Sequence, residues 1–244
     1  MPAKKPKFDW SLLDRYSLYE YFYQLKSKIV GQDLTIHQFH KLFKNHIIKE
    51  LPVRVSKNYD SKVINGLVFV GGMYYSDFDR LKQKCIEINF LYNLLDKTLN
   101  YTSVKFERVC MVITDVVLHE IIHMRQYRRR KFKDLPDYNS TAEKTKQRAE
   151  QAYYGCSDEI DAYSFNIACE LLTKFDNDPN TVKKYLSTIQ SKRSRASPSL
   201  RLYLKAFNWD YDHKIIKRLK SKTIRYLPNA QNGKPYRNRD WISC

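Results

Sequence analysis

Hydrophobic positions recur with a helical period over most of this chain and with a strand-like period in one stretch. Leu12, Leu13, Tyr16, Leu18, Tyr19, Phe22 and Tyr23 fall at helical spacing. Gly31 interrupts the run, Ile36, Phe39, Phe43, Ile47 and Ile48 resume it, and Pro52 stops it. Two helices are therefore expected between about Ser11 and Leu51. Between Val63 and Tyr92 the period changes. Val63 to Gly72 is β-branched and aromatic with glycine punctuation, and Cys85 to Tyr92 alternates apolar with polar. These stretches predict two antiparallel strands joined through Tyr74 to Lys84. A long helix follows from about Ser103 to Arg128, apolar on most sides and so expected to be buried. It runs out into the cationic stretch Arg128 to Lys133, which suits the negative end of a helix dipole.

Further on, Ser140 with Glu143 three residues later has the form of a capping box, predicting a helix that reaches about Tyr154 and ends at Gly155. Ser157 is the expected N-cap of the next helix, whose Ile160, Ile167, Ala168, Leu171 and Leu172 make a core stripe. Short amphipathic helices are expected over Val182 to Ile189, Leu200 to Phe207 and Ile215 to Leu219. Pro228 to Cys244 reads as an extended or flexible tail. The expected fold class is α+β, a mainly helical core with a small antiparallel sheet. It is laid out as a helical segment over residues 1–60, a core over 61–180, and a basic helical extension with its tail over 181–244.

Candidate chemistry is concentrated in the long helix, at His119-Glu120-Ile121-Ile122-His123. Residues four apart lie one above the other on a helix, so the two imidazoles can converge on one metal ion. Glu120 is turned about 100° to the side, which suits a carboxylate that holds a water and takes its proton, as in zinc peptidases. Catalytic zinc generally takes three protein ligands and a water. A third histidine six residues after His123 would mark a metzincin, but that position is Arg129, which excludes the class. The alternative is a glutamate on a later helix. Glu159 shares a stripe with Ala162, Tyr163 and Asn166 and is the chosen third ligand, with Asp161 and Asp158 behind it. His37 and His40 lie three apart with no acidic or cysteine partner near, and read as surface or packing residues.

The segments His119 to His123 and Glu159 to Tyr163, the second followed by an apolar helix, resemble the gluzincin arrangement of the ImmA/IrrE-type metallopeptidases over roughly Cys85 to Leu172. The resemblance implies a zincin-like core with Zn2+ held by His119, His123 and Glu159 and with Glu120 as general base. Thermolysin-like gluzincins place an aspartate four residues after the ligand glutamate. Here that residue is Tyr163, so Asp161 or Asp115 would have to orient a histidine. In zincins a strand just upstream of the metal helix borders the cleft and pairs with an extended substrate, a role expected of Cys85 to Tyr92. An oxyanion donor is also needed. Tyr153, Tyr154, Tyr163 and His213 are candidates, and the catalytic assignment is Glu120 with Tyr163.

Charge adds a partner to this picture. The formal net charge of +18, from 44 Lys+Arg against 26 Asp+Glu, suggests a polyanionic neighbourhood. Beyond Thr181 cations accumulate among Tyr185, Tyr203, Phe207, Trp209 and Tyr211, a pattern suited to phosphate contacts with aromatic stacking on bases. The expected function is a zinc-dependent metallopeptidase acting on nucleic-acid-associated proteins. The rival is a non-catalytic, zinc-containing protein of nucleic-acid binding or virion structure. SprT-type proteases, which digest DNA-bound proteins, offer a functional parallel, although they take a histidine as third ligand and none follows His123 here until His213. The five scattered cysteines form no C-x-x-C pair, which argues against a disulfide framework and for a reducing compartment. With no apolar targeting segment and no run long enough to span a bilayer, the expected location is cytoplasmic, nucleoid-associated or virion-packaged, with no membrane partner. A Tyr-, Lys-, Ile- and Asn-rich composition suits an AT-rich genome, as in many phages.

Overall fold

The computed structural model describes residues 15–47, 51–64, 66–95, 98–134, 145–189 and 196–230. The fold is α+β and mainly helical. It divides into two compact units, residues 1–120 and 121–244, with the boundary falling inside one long helix.

The first unit opens with α1 (Arg15–Tyr23) and the short α2 (Lys26–Ile29), then β1 (Asp33–Leu34) and α3 (Ile36–His46). Gly31 turns the chain with φ +74, a conformation that costs glycine little. Thr35 caps α3 by a reciprocal box with Gln38, which satisfies two otherwise orphaned amides. Next come β2 (Val53–Tyr59), β3 (Val68–Tyr74), α4 (Ser76–Arg80), β4 (Ile86–Tyr92), β5 (Leu99–Asn100) and the start of α5 (Ser103–Arg129). β1 and β5 form a two-stranded antiparallel sheet, and the larger sheet has the order β2-β4-β3. β3 pairs antiparallel with β4, as expected, but β2 pairs with it in parallel, so the sheet is mixed. Residues 53–59 were expected to belong to a helical segment. They form a strand in which Val53 alone is buried and residues 54–57 are half-buried, so the alternation that marks a strand is faint in sequence. Phe39, Phe43, Phe90 and Tyr101 pack ring against ring at centroid distances of 5.0–5.4 Å, stacked, tilted or edge-on, and centre the core.

β4 is the central strand, with a partner on each side. Its amides and carbonyls are committed to β2 and β3, so Cys85 to Tyr92 cannot take up a further strand, contrary to the role expected of it. Among the described residues the edges of this sheet belong to β2 and β3.

The second unit holds the end of α5, then α6 (Lys146–Gly155), α7 (Ser157–Lys174), α8 (Pro179–Thr188), α9 (Pro198–Ala206) and α10 (Lys214–Ala230). α6 ends at Gly155 as expected but starts from a Thr145 cap, and the Ser140 and Glu143 signal lies outside the described residues. Cys156, not Ser157, precedes α7, and the Ser157 hydroxyl instead accepts from Arg218 at 2.8 Å. The expected stripe of Ile160, Ile167, Ala168, Leu171 and Leu172 is buried together with residues of α8, α9 and α10. α10 continues through Pro228 to Ala230, where a tail was expected to begin, and the rest of that tail lies outside the described residues. Glu170 is buried in this core and accepts from the Ser197 hydroxyl, the Ser199 hydroxyl at 2.6 Å and the Ser199 amide at 3.2 Å, which ties the start of α9 to α7.

Tyr203 and Phe207, expected to help stack on bases, are 0% and 5% exposed and belong to that core. The amphipathic pattern around them resolved into packing, because an aromatic ring on a helix face buries more apolar area than any neighbour. Cys85, Cys110, Cys156 and Cys169 are buried thiols that form no disulfide. Among the described residues no helix is long and apolar enough to cross a membrane.

Candidate metal centre

α5 begins and ends within a residue of its expected bounds, and the chemistry sits where it is most enclosed. His119, Glu120 and His123 are all buried polar residues within its apolar surroundings. Polar groups in that position need partners. One ligand atom from each of His119, His123 and Glu159 lies within 4.8 Å of the others, a buried group that could hold a metal ion. The two imidazoles meet because they are one turn apart on α5, and Glu159 joins them from the first turn of α7.

The donor set fits a small divalent ion. His123 Nε2 stands 3.3 Å from Glu159 Oε1. Two ligands at about 2.0–2.1 Å from a tetrahedral ion are separated by roughly 3.3–3.4 Å, so these atoms already span one edge of such a polyhedron. Two nitrogens and one oxygen are also the kind of ligands that a catalytic zinc takes, leaving a position open.

Within the first unit, Glu120 lies against β3. A Cβ added at Gly72 would overlap Val116 Cγ1 and come 2.9 Å from Glu120 Oε1. Only a residue without a side chain lets α5 pass this close to the strand. Gly72 reads in sequence as strand punctuation, and nothing there announces that it faces a residue 48 positions later.

In the second unit a relay runs from His123 toward α10. His123 Nδ1 is 2.9 Å from Gln126 Oε1 on the next turn of α5. Gln126 Nε2 donates to the Asp158 carbonyl oxygen at 3.1 Å and to Asp161 Oδ2 at 3.2 Å. Asp161 Oδ1 in turn accepts from Lys222 Nζ at 2.6 Å and from the Tyr226 hydroxyl at 2.9 Å. Burial alone would raise the Asp161 carboxyl. The Lys222 bond and charge, with the bonds from Tyr226 and Gln126, outweigh it and hold the pKa below the ordinary carboxylate value. Asp158 is gripped by both prongs of Arg130 at 2.7 Å. Asp161 and Asp158, the next candidates for third ligand, are thus bonded to Gln126, Lys222, Tyr226 and Arg130, and the group that could hold a metal contains Glu159 instead.

The two residues weighed for orienting a histidine differ in what they touch. Asp161 reaches His123 through Gln126, while both oxygens of Asp115 accept from Arg15, at 2.7 and 2.8 Å. Gln126 itself was passed over in sequence, although its i+3 spacing from His123 is a local signal that could have found it. Tyr163 lies one turn beyond Glu159, packed edge-on to Tyr154 and Tyr203 and hydrogen-bonded to Tyr154. Tyr153 packs on Tyr154, and His213 stacks on Phe207. Of the other histidines, His40 approaches the Val55 carbonyl at 3.3 Å, and His46 Nε2 donates to the Tyr21 carbonyl at 2.7 Å.

Comparison of the chain with protein-family models, curated proteins and solved structures finds no match.

Proposed function

We propose that the protein is a zinc-dependent metallopeptidase, similar in the arrangement of its site to gluzincins. The observation that carries this reading is the buried convergence of His119, His123 and Glu159 with Glu120 beside the first histidine on the same helix. A zinc ion held by those three ligands would supply Lewis acidity, lowering the pKa of a water in the open position and polarising a peptide carbonyl. Glu120 takes the proton of the attacking water and passes it to the leaving amine, a role for which a purely structural metal site has no use. Tyr163, one turn beyond Glu159, would donate to the oxyanion on release of its bond to Tyr154. β3 presents an edge beside Glu120, through Gly72, and so takes over from β4 as the strand along which an extended peptide would lie.

The cation excess favours substrates held on nucleic acid. Residues 121–244 carry 26 Lys+Arg against 13 Asp+Glu. Lys183, Lys184, Lys217, Arg218 and Arg225 are exposed on α8 and α10. With Tyr203 and Phe207 buried, contact there would rest on phosphates more than on base stacking, and would weaken steeply with salt.

Elemental analysis with a cleavage assay on an unfolded protein substrate tests the function. One zinc per chain, lost or much weakened in Glu159→Gln, with cleavage abolished in Glu120→Gln, is the expected result. Wild-type protein that takes up no zinc would sink the peptidase reading.

A further inference from the structure

We infer that Gln126 is a positioning residue that fixes the tautomer of His123, and that Lys222 and Tyr226 of α10 set its orientation through Asp161. The inference deepens the metal-site reading and rests on it. The direction of the relay follows from which groups can only accept. The Asp158 carbonyl and the Asp161 carboxylate are both acceptors, and both face one end of the Gln126 side chain. That end must therefore be the amide nitrogen, which leaves the amide oxygen facing His123 Nδ1 at 2.9 Å. An oxygen there only accepts, so the neutral His123 ring carries its proton on Nδ1. Its Nε2 lone pair then points to Glu159, 3.3 Å away, where the metal would sit.

An amide suits this position better than the carboxylate more often found beside a metal-bound histidine. A carboxylate at residue 126 would face Asp161 at hydrogen-bond distance, and two anions would repel. The amide instead carries the pull of Asp161 to the histidine without a second charge. Asp161 stays oriented because Lys222 and Tyr226 both bond to its other oxygen, and Asp158 because Arg130 clamps it. Helix α10, 61 residues beyond Asp161 at Lys222, is thereby wired to a ligand on α5. Supporting partners of metal-bound histidines typically carry about 10–100-fold in metal affinity. The same range is expected for Gln126, and a smaller loss, about three- to tenfold, for Lys222, which acts one bond further out.

The test uses the full chain with 15N-labelled histidine. Long-range nitrogen–proton correlation on metal-free protein above pH 8 reads the tautomer of His123, and competition with a chromogenic chelator reads the affinity for zinc alone. Wild-type protein is expected to show the Nδ1–H form. Gln126→Leu should gain the Nε2–H form and bind zinc about 10–100-fold more weakly. Lys222→Met, a change at a partly exposed side chain that leaves the core intact, should weaken zinc severalfold, with Lys222→Arg restoring it. An Nε2–H form in the wild type, or Gln126→Leu with unchanged tautomer and unchanged zinc affinity, would overturn the inference. Nδ1–H in a wild type that binds no zinc would overturn the metal reading instead, so the two failures are told apart.

Discussion

Glu120 and His123, one in each unit, are placed by different means. For Glu120 the observed means is steric. Glu120 sits against β3 because position 72 has no side chain, and the sheet behind it is anchored by an aromatic core around Phe39, Phe43 and Phe90. For His123 the means is electrostatic. His123 is oriented through Gln126, and Asp161 and Asp158 are held by Lys222 and Arg130. Charge composition follows the same division, with 18 Lys+Arg against 13 Asp+Glu in the first unit and 26 against 13 in the second. If Glu120 is the proton acceptor proposed above, the missing side chain at position 72 helps to give it a fixed place. If His123 is a metal ligand, the bond to Gln126 helps to fix its lone pair.

The largest effect that would sharpen this contrast is on chemistry. Glu120→Gln keeps the shape of the side chain and removes its basicity, so cleavage should fall by about 10²–10⁴-fold while zinc uptake per chain stays unchanged. A parallel loss of zinc would mean that Glu120 belongs with the ligands. The steric half is tested next by Gly72→Ala. With its Cβ overlapping Val116 and 2.9 Å from Glu120 Oε1, α5 or β3 must shift. A destabilisation of about 1–3 kcal/mol in urea unfolding is expected, with activity reduced and zinc affinity kept. Full activity at wild-type stability would show that the close approach at Gly72 does not hold Glu120 in place.

A smaller effect concerns pH. Burial, opposed only in part by the bond to the Tyr21 carbonyl, lowers the His46 pKa below its ordinary 6.5, and burial lowers that of His40 as well. The fold therefore favours the neutral form of both rings. Their contribution is present above the unfolded value and is lost as pH falls through the folded one, so the melting temperature should drop from pH 7 to pH 5. His46→Gln, which can still donate to the Tyr21 carbonyl, should make that acid limb shallower. An identical limb in the variant would assign the acid sensitivity elsewhere. Least affected should be the stability of a triple variant, Lys217→Gln, Arg218→Gln and Arg225→Gln. These exposed positions are expected to move it by no more than about 0.5 kcal/mol each. Binding to a nucleic-acid duplex should nevertheless weaken, with a shallower salt dependence. Unchanged binding at low salt would remove α10 from any polyanion surface.

What the sequence determined by itself is what depends on near neighbours along the chain. The extent of α5, the placing of His119 above His123, the stop at Gly155 and the core stripe of α7 all follow from helical period and short-range capping, which act over a few residues. The i+3 pair of His123 and Gln126 belongs to the same class and was open to the same reading. Tertiary structure alone decided the rest. β2 joined the sheet in parallel through a register with residues 33 positions away, displacing β4 from the edge it was expected to occupy. Gly72 met Glu120, Lys222 met Asp161, and Tyr203 left the surface for the core, because contacts across tens of residues are chosen by which faces can be buried together. Period shows that a face is apolar or a residue polar, and packing chooses the partner it meets.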